Sequence, residues 1–570
     1  MRIQRMAGIA ALGVASIYFS NGSALGASDP TTFPVTITVD ASQSLGDLHP
    51  IWRYFGYDEC NFTYMPNGKA LLGELGQLGP EQVYIRCHHL MTSGDGTPAM
   101  KWGSTGMYHE DAAGNPVYDW TIVDRIFDTY EQNHLKPYVQ IGFMPKDLST
   151  RPDLYPSGFS LDKTMPANAG QAYPPKDFKK WGELVYQWAK HCVDRYGKDE
   201  VQQWYWEVWN EPNIGYWQGT QDQYYELYDY AVDGVRRALP TARVGGDESA
   251  GGAPSLRAFL AHCVHGTNHV TGQTGAPIDF ISFHAKGSPT AAPGDGHVRM
   301  GISSQLRAID SCFAVVASFP ELKDKPIVIG ESDPDGMAAR PVSQNAGLGY
   351  RNSPQFPAYT AACFAREFEL ERKYGVNLEG ALTWSFEFEN KPFFAGYRVL
   401  SSNGIDMPIL NLFKMMGKIG GQQVSVQSSS DPGLTKEVAG GVRGDTPDVR
   451  AIAALDKAAN TLNVLVFHYY DDDVPAPAAA VDLELANLPG SGDATMTEYR
   501  IDSDHSDAYT VWKQMGSPEK PSDDQYAQLK KAGQLAVIGD GETVKIDSGK
   551  ADVKVTMPRE SVELLVLKWK

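Results

Sequence analysis

From about residue 50 the chain alternates short apolar runs with longer segments whose apolar residues recur at three- and four-residue steps. The short runs read as strands at 52–58, 82–90, 136–145, 204–212, 242–248, 279–286, 326–333 and 380–389. The longer segments predict helices at 69–78, 118–133, 178–196, 221–239, 254–263, 304–319 and 359–374, with an eighth at 407–417. In the second helix, Ile122, Ile126, Phe127 and Tyr130 make one apolar stripe. Eight strand-then-helix units in succession predict an α/β fold, a (β/α)8 TIM barrel over residues 46–417. An open doubly wound sheet would carry a glycine-rich phosphate loop after its first strand, and none is present.

Beyond residue 418 the rhythm shortens. Runs at 460–468, 479–485, 496–501, 543–547 and 561–568 read as strands between Gly, Pro and Asp turns, which predicts an appended β-sandwich over 418–570. Residues 34–40 also alternate like a strand, so 27–45 are expected to cross back and join that sandwich. The first 26 residues are set apart from the fold. Arg2 and Arg5 precede an apolar run at 7–19, and Ala24, Leu25 and Gly26 offer a small-residue cleavage site. That run is shorter than the roughly 20 residues a bilayer span needs, so it reads as a signal peptide and the product as secreted or periplasmic.

Composition narrows the partners. With 42% hydrophobic and 21% charged residues, the chain has the make-up of an ordinary globular protein. Its net charge of −19 argues against nucleic acid or an anionic membrane as the main partner. Six scattered cysteines lack Cys-x-x-Cys spacing, which leaves disulfide pairing open and makes buried thiols at least as good a reading. No His, Asp or Cys cluster has ligand spacing, so neither a metal nor an organic cofactor is implied. Oligomeric state is not legible.

Barrel chemistry sits at the C-terminal ends of strands, and two carboxylates are expected there. An aromatic run from Trp204 to Trp209 ends at Asn210 and Glu211, and Pro212 stops the pairing. The run from Pro326 to Gly330 ends at Glu331. These fourth and seventh barrel strands face each other across a small mouth. Opposed carboxylates suit glycosidic cleavage: one protonates the departing oxygen while the other attacks or activates water. Glu248, Glu387 and Glu389 are rival acids, read as rim hydrogen-bonding or substrate-contact groups. Trp204, Trp206 and Trp209 are read as core, and His89 as structural.

Trp-Asn-Glu-Pro at 209–212, followed by a glutamate ending the seventh strand, resembles the retaining barrel glycosidases. More narrowly, the chain resembles glycoside hydrolase family 39, the β-xylosidase and α-L-iduronidase family, over nearly everything after the leader. Supporting stretches are 48–53, 84–88, 142–145, 281–287, 499–506 and 512–517. The resemblance implies Glu211 as acid/base, Glu331 as nucleophile and Asn210 as donor to the sugar 2-hydroxyl. It also implies sugar contacts from His88 and His284. Trp384 is expected either as an apolar platform under a sugar ring or as barrel packing.

The implied partner is an oligosaccharide or polysaccharide. Residues 142–145 resemble the xylosidase branch, whereas 262–268, 284–287 and 331–334 resemble the iduronidase branch. Reading a C5 carboxylate needs a fixed cation, with Lys286 and Arg398 as candidates. The acids of 384–389 would oppose a uronate, so a terminal pentose of xylose or arabinose type is expected first and a uronide second. A catalytically dead, glycan-binding barrel is the alternative from another class.

Overall fold

The computed structural model describes residues 32–158, 166 and 168–570, so the proposed signal peptide lies outside the described residues. β1 (Thr32–Asp47) comes first. The barrel strands follow: β2 (Tyr54–Tyr57), β3 (Tyr84–Cys87), β4 (Lys136–Ile141), β5 (Tyr205–Val208), β6 (Arg243–Ala250), β7 (Phe280–Lys286), β8 (Pro326–Asp333) and β9 (Asn377–Ala381). They form an eight-stranded sheet, parallel throughout and in sequence order. A parallel bridge from Phe55 to Thr383 closes the ring.

Eight helices cover it: α1 (Pro66–Leu75), α2 (Thr121–Gln132), α3 (Phe178–Tyr196), α4 (Gln221–Ala238), α5 (Ala253–His265), α6 (Ile302–Ala317), α7 (Gln355–Tyr374) and α8 (Pro408–Met416). In α2, Val123, Ile126, Phe127, Thr129 and Tyr130 face inward and the charged residues between them lie toward solvent. α4 starts on a capping box, in which Thr220 and Gln223 satisfy each other's backbone N–H groups. Among the described residues no helix is long and apolar enough to cross a membrane. All six cysteines are buried and unpaired.

The eighth barrel strand is shorter than its sequence pattern. Its regular strand ends at Ala381, only the closing bridge at Thr383 continues the pairing, and 384–389 belong to the following loop. The aromatic alternation there serves packing: Phe386 stacks on Tyr57 with ring centres 3.8 Å apart, and Phe388 meets Phe62 edge-on.

The C-terminal strands are β10 (Gln422–Ser428), β11 (Asp448–Asp456), β12 (Thr461–Tyr469), β13 (Ala478–Ala486), β14 (Gly492–Ile501), β15 (Ala536–Ile546), β16 (Ala551–Met557) and β17 (Ser561–Lys568). With β1 they make a nine-stranded, mostly antiparallel sheet in the order β15-β14-β17-β12-β11-β10-β1-β13-β16. This is the appended sandwich. One core takes Val35, Ile37 and Val39 of β1 together with Val464, Val481, Val553 and Leu565. β1 runs antiparallel to β10 and parallel to β13. β10, β11 and β16 were not among the strands read from the sequence, although β16 alternates buried and exposed positions throughout. β11 is buried on both faces, so its sequence does not alternate.

The outer face of β11 and β12, with Ile452, Ala454, Leu465 and Phe467, continues the barrel's own core. A buried ion network reinforces that seam. Arg366 of α7 binds Glu437 at 2.7 Å and Glu369 at 2.8 Å, and Arg450 of β11 binds Asp448 at 2.5 Å and the same Glu369 at 2.7 Å.

Candidate active site

Side chains alternate across each barrel strand, so every second residue climbs the interior from floor to mouth. The floor is aromatic: Tyr54, Tyr84, Tyr138, Tyr205 and Phe280 pack together, with the Tyr54 and Tyr205 hydroxyls 3.1 Å apart. Each such ring pair contributes about 0.5–1.5 kcal/mol beyond burial. One step up from Tyr84 on β3 is Arg86, and one step up from Tyr205 on β5 is Glu207. Both are fully buried and paired. Arg86 also donates to His88 and to the Asn210 side-chain oxygen, at 3.0 Å each. It lies 3.5 Å from Glu248 and 3.6 Å from Glu331. Burial opposes its charge, and these glutamates more than restore it.

At the mouth, three carboxylates converge on His284. Its Nδ1 is 2.9 Å from Glu211, and its Nε2 contacts Glu248 and lies 3.8 Å from Glu331. The register explains the meeting. His284 on β7 pairs with Glu331 on β8 across an irregularity between Ile329 and Glu331, and with Ala250 on β6 on its other side. Burial disfavours a charged imidazole, but Glu331 and Glu248 outweigh it and raise His284 to about 10. Glu331 experiences the converse. Burial pushes it up, while His284, Lys286 and Arg86 pull it down to about 2. Lys286 stands 2.5 Å from both Glu331 and Asp333. The backbone is strained here, with positive φ at Trp209, Glu211 and Glu248 (72°, 45° and 53°), a conformation that costs about 1–3 kcal/mol at each non-glycine residue.

Glu211, Glu331, Asn210, His284 and Lys286 therefore meet at one place. Asn210 has no hydrogen bond to its amide nitrogen among the described residues, since only its oxygen is taken. His88 also reaches this level, held between Asp58 at 2.9 Å and Arg86. Three candidates are placed otherwise. Trp384 is 2% exposed and works as packing: its indole N–H donates to Asp58, and its ring covers His88 and Arg86. Gly56 makes room for that ring, because any Cβ there would overlap it. Glu387 turns away from the mouth and accepts from the Ser401 hydroxyl and the Asn403 and Gly404 N–H groups. Arg398 is buried beneath the site, bonded to the Trp384 and Asp335 carbonyl oxygens and 3.3 Å from Asp333. Glu389, in the same loop, accepts from the Asn67 backbone and side-chain N–H groups.

Glu211 opens into a cavity of about 740 Å³ walled by Lys101, Ile214, Tyr216, Met337, Arg340 and Gln344. None of these wall residues was singled out from the sequence, since they lie on loops brought together only by the barrel. Arg86 was also missed, although its place two residues before His88 on an otherwise buried strand is a signal. Among the described residues, the group with metal-ligand spacing is Asp431, Glu437 and Asp448, and Arg366 and Arg450 already neutralise it.

Comparison with known proteins bears on the chain as a whole. The model of glycosyl hydrolases family 39 matches residues 35–542. A β-xylosidase of Caldicellulosiruptor saccharolyticus is 26% identical over 88% of this chain and 91% of its own length. The α-L-iduronidase of Mus musculus is also 26% identical, over 87% of this chain and 75% of its own length. The crystal structure of a monomeric β-xylosidase from Caulobacter crescentus superposes with a TM-score of 0.71 at 21% identity, covering 94% of this chain and 99% of that one, which shows a shared fold.

Proposed function

The chain belongs to glycosyl hydrolases family 39 and is a glycoside hydrolase, and on that premise we propose that it releases terminal pentose units from oligosaccharides or plant polysaccharide with retention of configuration. Glu331 is the nucleophile. Lys286, His284 and Arg86 keep it ionised, so its carboxylate can attack the anomeric carbon as the C–O bond to the aglycone breaks. Glu211, beside the open cavity, gives its proton to the departing oxygen. It then takes a proton from the water that cleaves the glycosyl-enzyme ester, which restores both carboxyl groups. Asn210 is suited to donate to the 2-hydroxyl as charge develops at the anomeric centre. The observation that carries this reading is that Glu211 and Glu331, from the fourth and seventh strands, reach the same imidazole.

The pentose preference rests on charge. Lys286 is saturated by Glu331 and Asp333, and Arg398 by Asp333 and Asp335, so neither is left to bind a C5 carboxylate. One observation favours a uronide as second reading: Arg340 lines the cavity, and its guanidinium has no ion pair among the described residues. The basic and apolar leader supports export of the enzyme.

The test is a panel of aryl β-xylosides, α-L-arabinosides and α-L-iduronides, followed by Glu331→Ala on the substrate found. That variant should lose turnover and regain it with azide, giving a glycosyl azide of inverted configuration. Undiminished turnover in Glu331→Ala would eliminate the assignment. Release from the iduronide alone would replace the pentose with the uronide.

A further inference from the structure

Of the three carboxylates that converge on His284, Glu248 is the one that the two-carboxylate reaction leaves unused. Its side chain is wholly inaccessible, and its carboxylate contacts His284 Nε2 and lies 3.5 Å from Arg86. Space has been made for it. Gly330, immediately before Glu331, faces its two oxygens so closely that no Cβ fits between them. The two segments are also tied by their backbones, because the Glu211 N–H donates to the Glu248 carbonyl oxygen at 2.9 Å.

An imidazole has two nitrogens, and the partner of one decides what the other offers. With a buried carboxylate at Nε2, that nitrogen keeps its proton. A second proton, on Nδ1, would face Glu211 Oε1 at 2.9 Å. Without the carboxylate one proton suffices, and Nδ1 can present a lone pair to Glu211 instead.

We propose that Glu248 is a positioning residue of the reaction. Acting through His284, it fixes the ring so that Nδ1–H holds Glu211 Oε1 and leaves Oε2 to carry the proton for the departing oxygen. This inference rests on the assignment of Glu211 as acid/base. Other groups bear on the same ring: Glu211 from the end of β5, Asp247 from β6 beside Glu248, Glu331 from β8, and Lys286 two residues along β7. Of these, Glu248 makes the closest approach to Nε2 and is wholly inaccessible, whereas Glu331 lies 3.8 Å from the same nitrogen.

The experiment follows the imidazole directly and then the chemistry. In the wild-type enzyme, labelled-imidazole NMR, with His284 assigned by its absence in His284→Gln, should find the ring doubly protonated at pH 7. A neutral ring there would overturn the proposal without any variant. In Glu248→Gln the midpoint should fall by about one pH unit or more, tenfold in proton affinity. Turnover of xylobiose, whose leaving group needs protonation, should drop about tenfold or more, and that of 2,4-dinitrophenyl β-xyloside about threefold at most. Glu248→Asp, which restores the charge, should recover part of the xylobiose loss. Equal slowing of both substrates with an unchanged His284 titration would reduce Glu248 to a structural role. Failure of the underlying assignment looks different, because Glu211→Ala would then keep its activity on xylobiose.

Discussion

Gly330 is packed against the carboxylate of Glu248, so the residue before the proposed nucleophile is defined by an acid two strands away. Gly330→Ala has no room to accommodate its methyl group without moving Glu248, His284 or the β8 irregularity that aims Glu331. The expected cost is about 1–3 kcal/mol of stability, with a larger proportional loss of kcat than of KM. Urea unfolding and steady-state kinetics on one aryl glycoside check both. A variant as stable and active as wild type would show that the close fit is not needed.

Lys286 should set the acid limit of activity. It is one of the cations that overcome burial and hold Glu331 near 2. Replacing it by methionine removes a cation from a buried carboxylate, which raises the pH below which Glu331 is protonated. The lower limb of kcat/KM against pH is expected to move up by about one to three units. An unmoved limb would assign that limb to another group.

Glu387 should show the opposite dependence in stability. Burial, resisted by its hydrogen bonds, pushes it up to about 8, so the folded protein keeps it neutral at pH 6. The unfolded chain releases that proton near the ordinary value of 4.5, and the advantage of the neutral form is lost as pH rises from there through 8. Glu387→Gln, neutral at every pH, should match wild type near pH 5 and exceed it at pH 9 by a few kcal/mol, at about 1.4 kcal/mol per unit. Melting temperatures of the two proteins across that range are the measurement.

Arg366 carries the ion network between α7 and the sandwich. Truncating it to leucine leaves the fully buried Glu437 without its closest cation. The expected destabilisation is about 3–5 kcal/mol, because an uncompensated buried charge costs far more than the pair contributes. Chemical denaturation would detect it. A loss below 1 kcal/mol would mean that Arg450 takes over the pairing.

Much of the fold was legible because each level of the pattern agreed with the next. Seven barrel strands and all eight helices followed from apolar spacing, and strand ends picked out Asn210, Glu211, His284 and Glu331. What escaped was encoded in three dimensions. The strand-like alternation of Trp384, Phe386 and Phe388 reflects three separate packing partners, so the eighth strand was read too long and Glu387 was given a role at the mouth. Arg86 and Glu207 look like strand interruptions until the aromatic floor beneath them is seen. Lys101, Tyr216 and Arg340 share a wall only because loops from distant parts of the chain meet above the barrel.

The pairing of β1 has a consequence for biosynthesis. Thr36 bonds Ser429, 393 positions later, and beyond β10 its other neighbour is β13. A chain emerging from the ribosome must therefore carry an unmatched, strand-prone segment while the whole barrel is made, with no partner until the final quarter arrives. Late closure of this kind favours slow maturation and gives a holding chaperone time to act. It also suggests that nascent chains halted before residue 420 will aggregate through that segment, and that those halted beyond residue 486 will not.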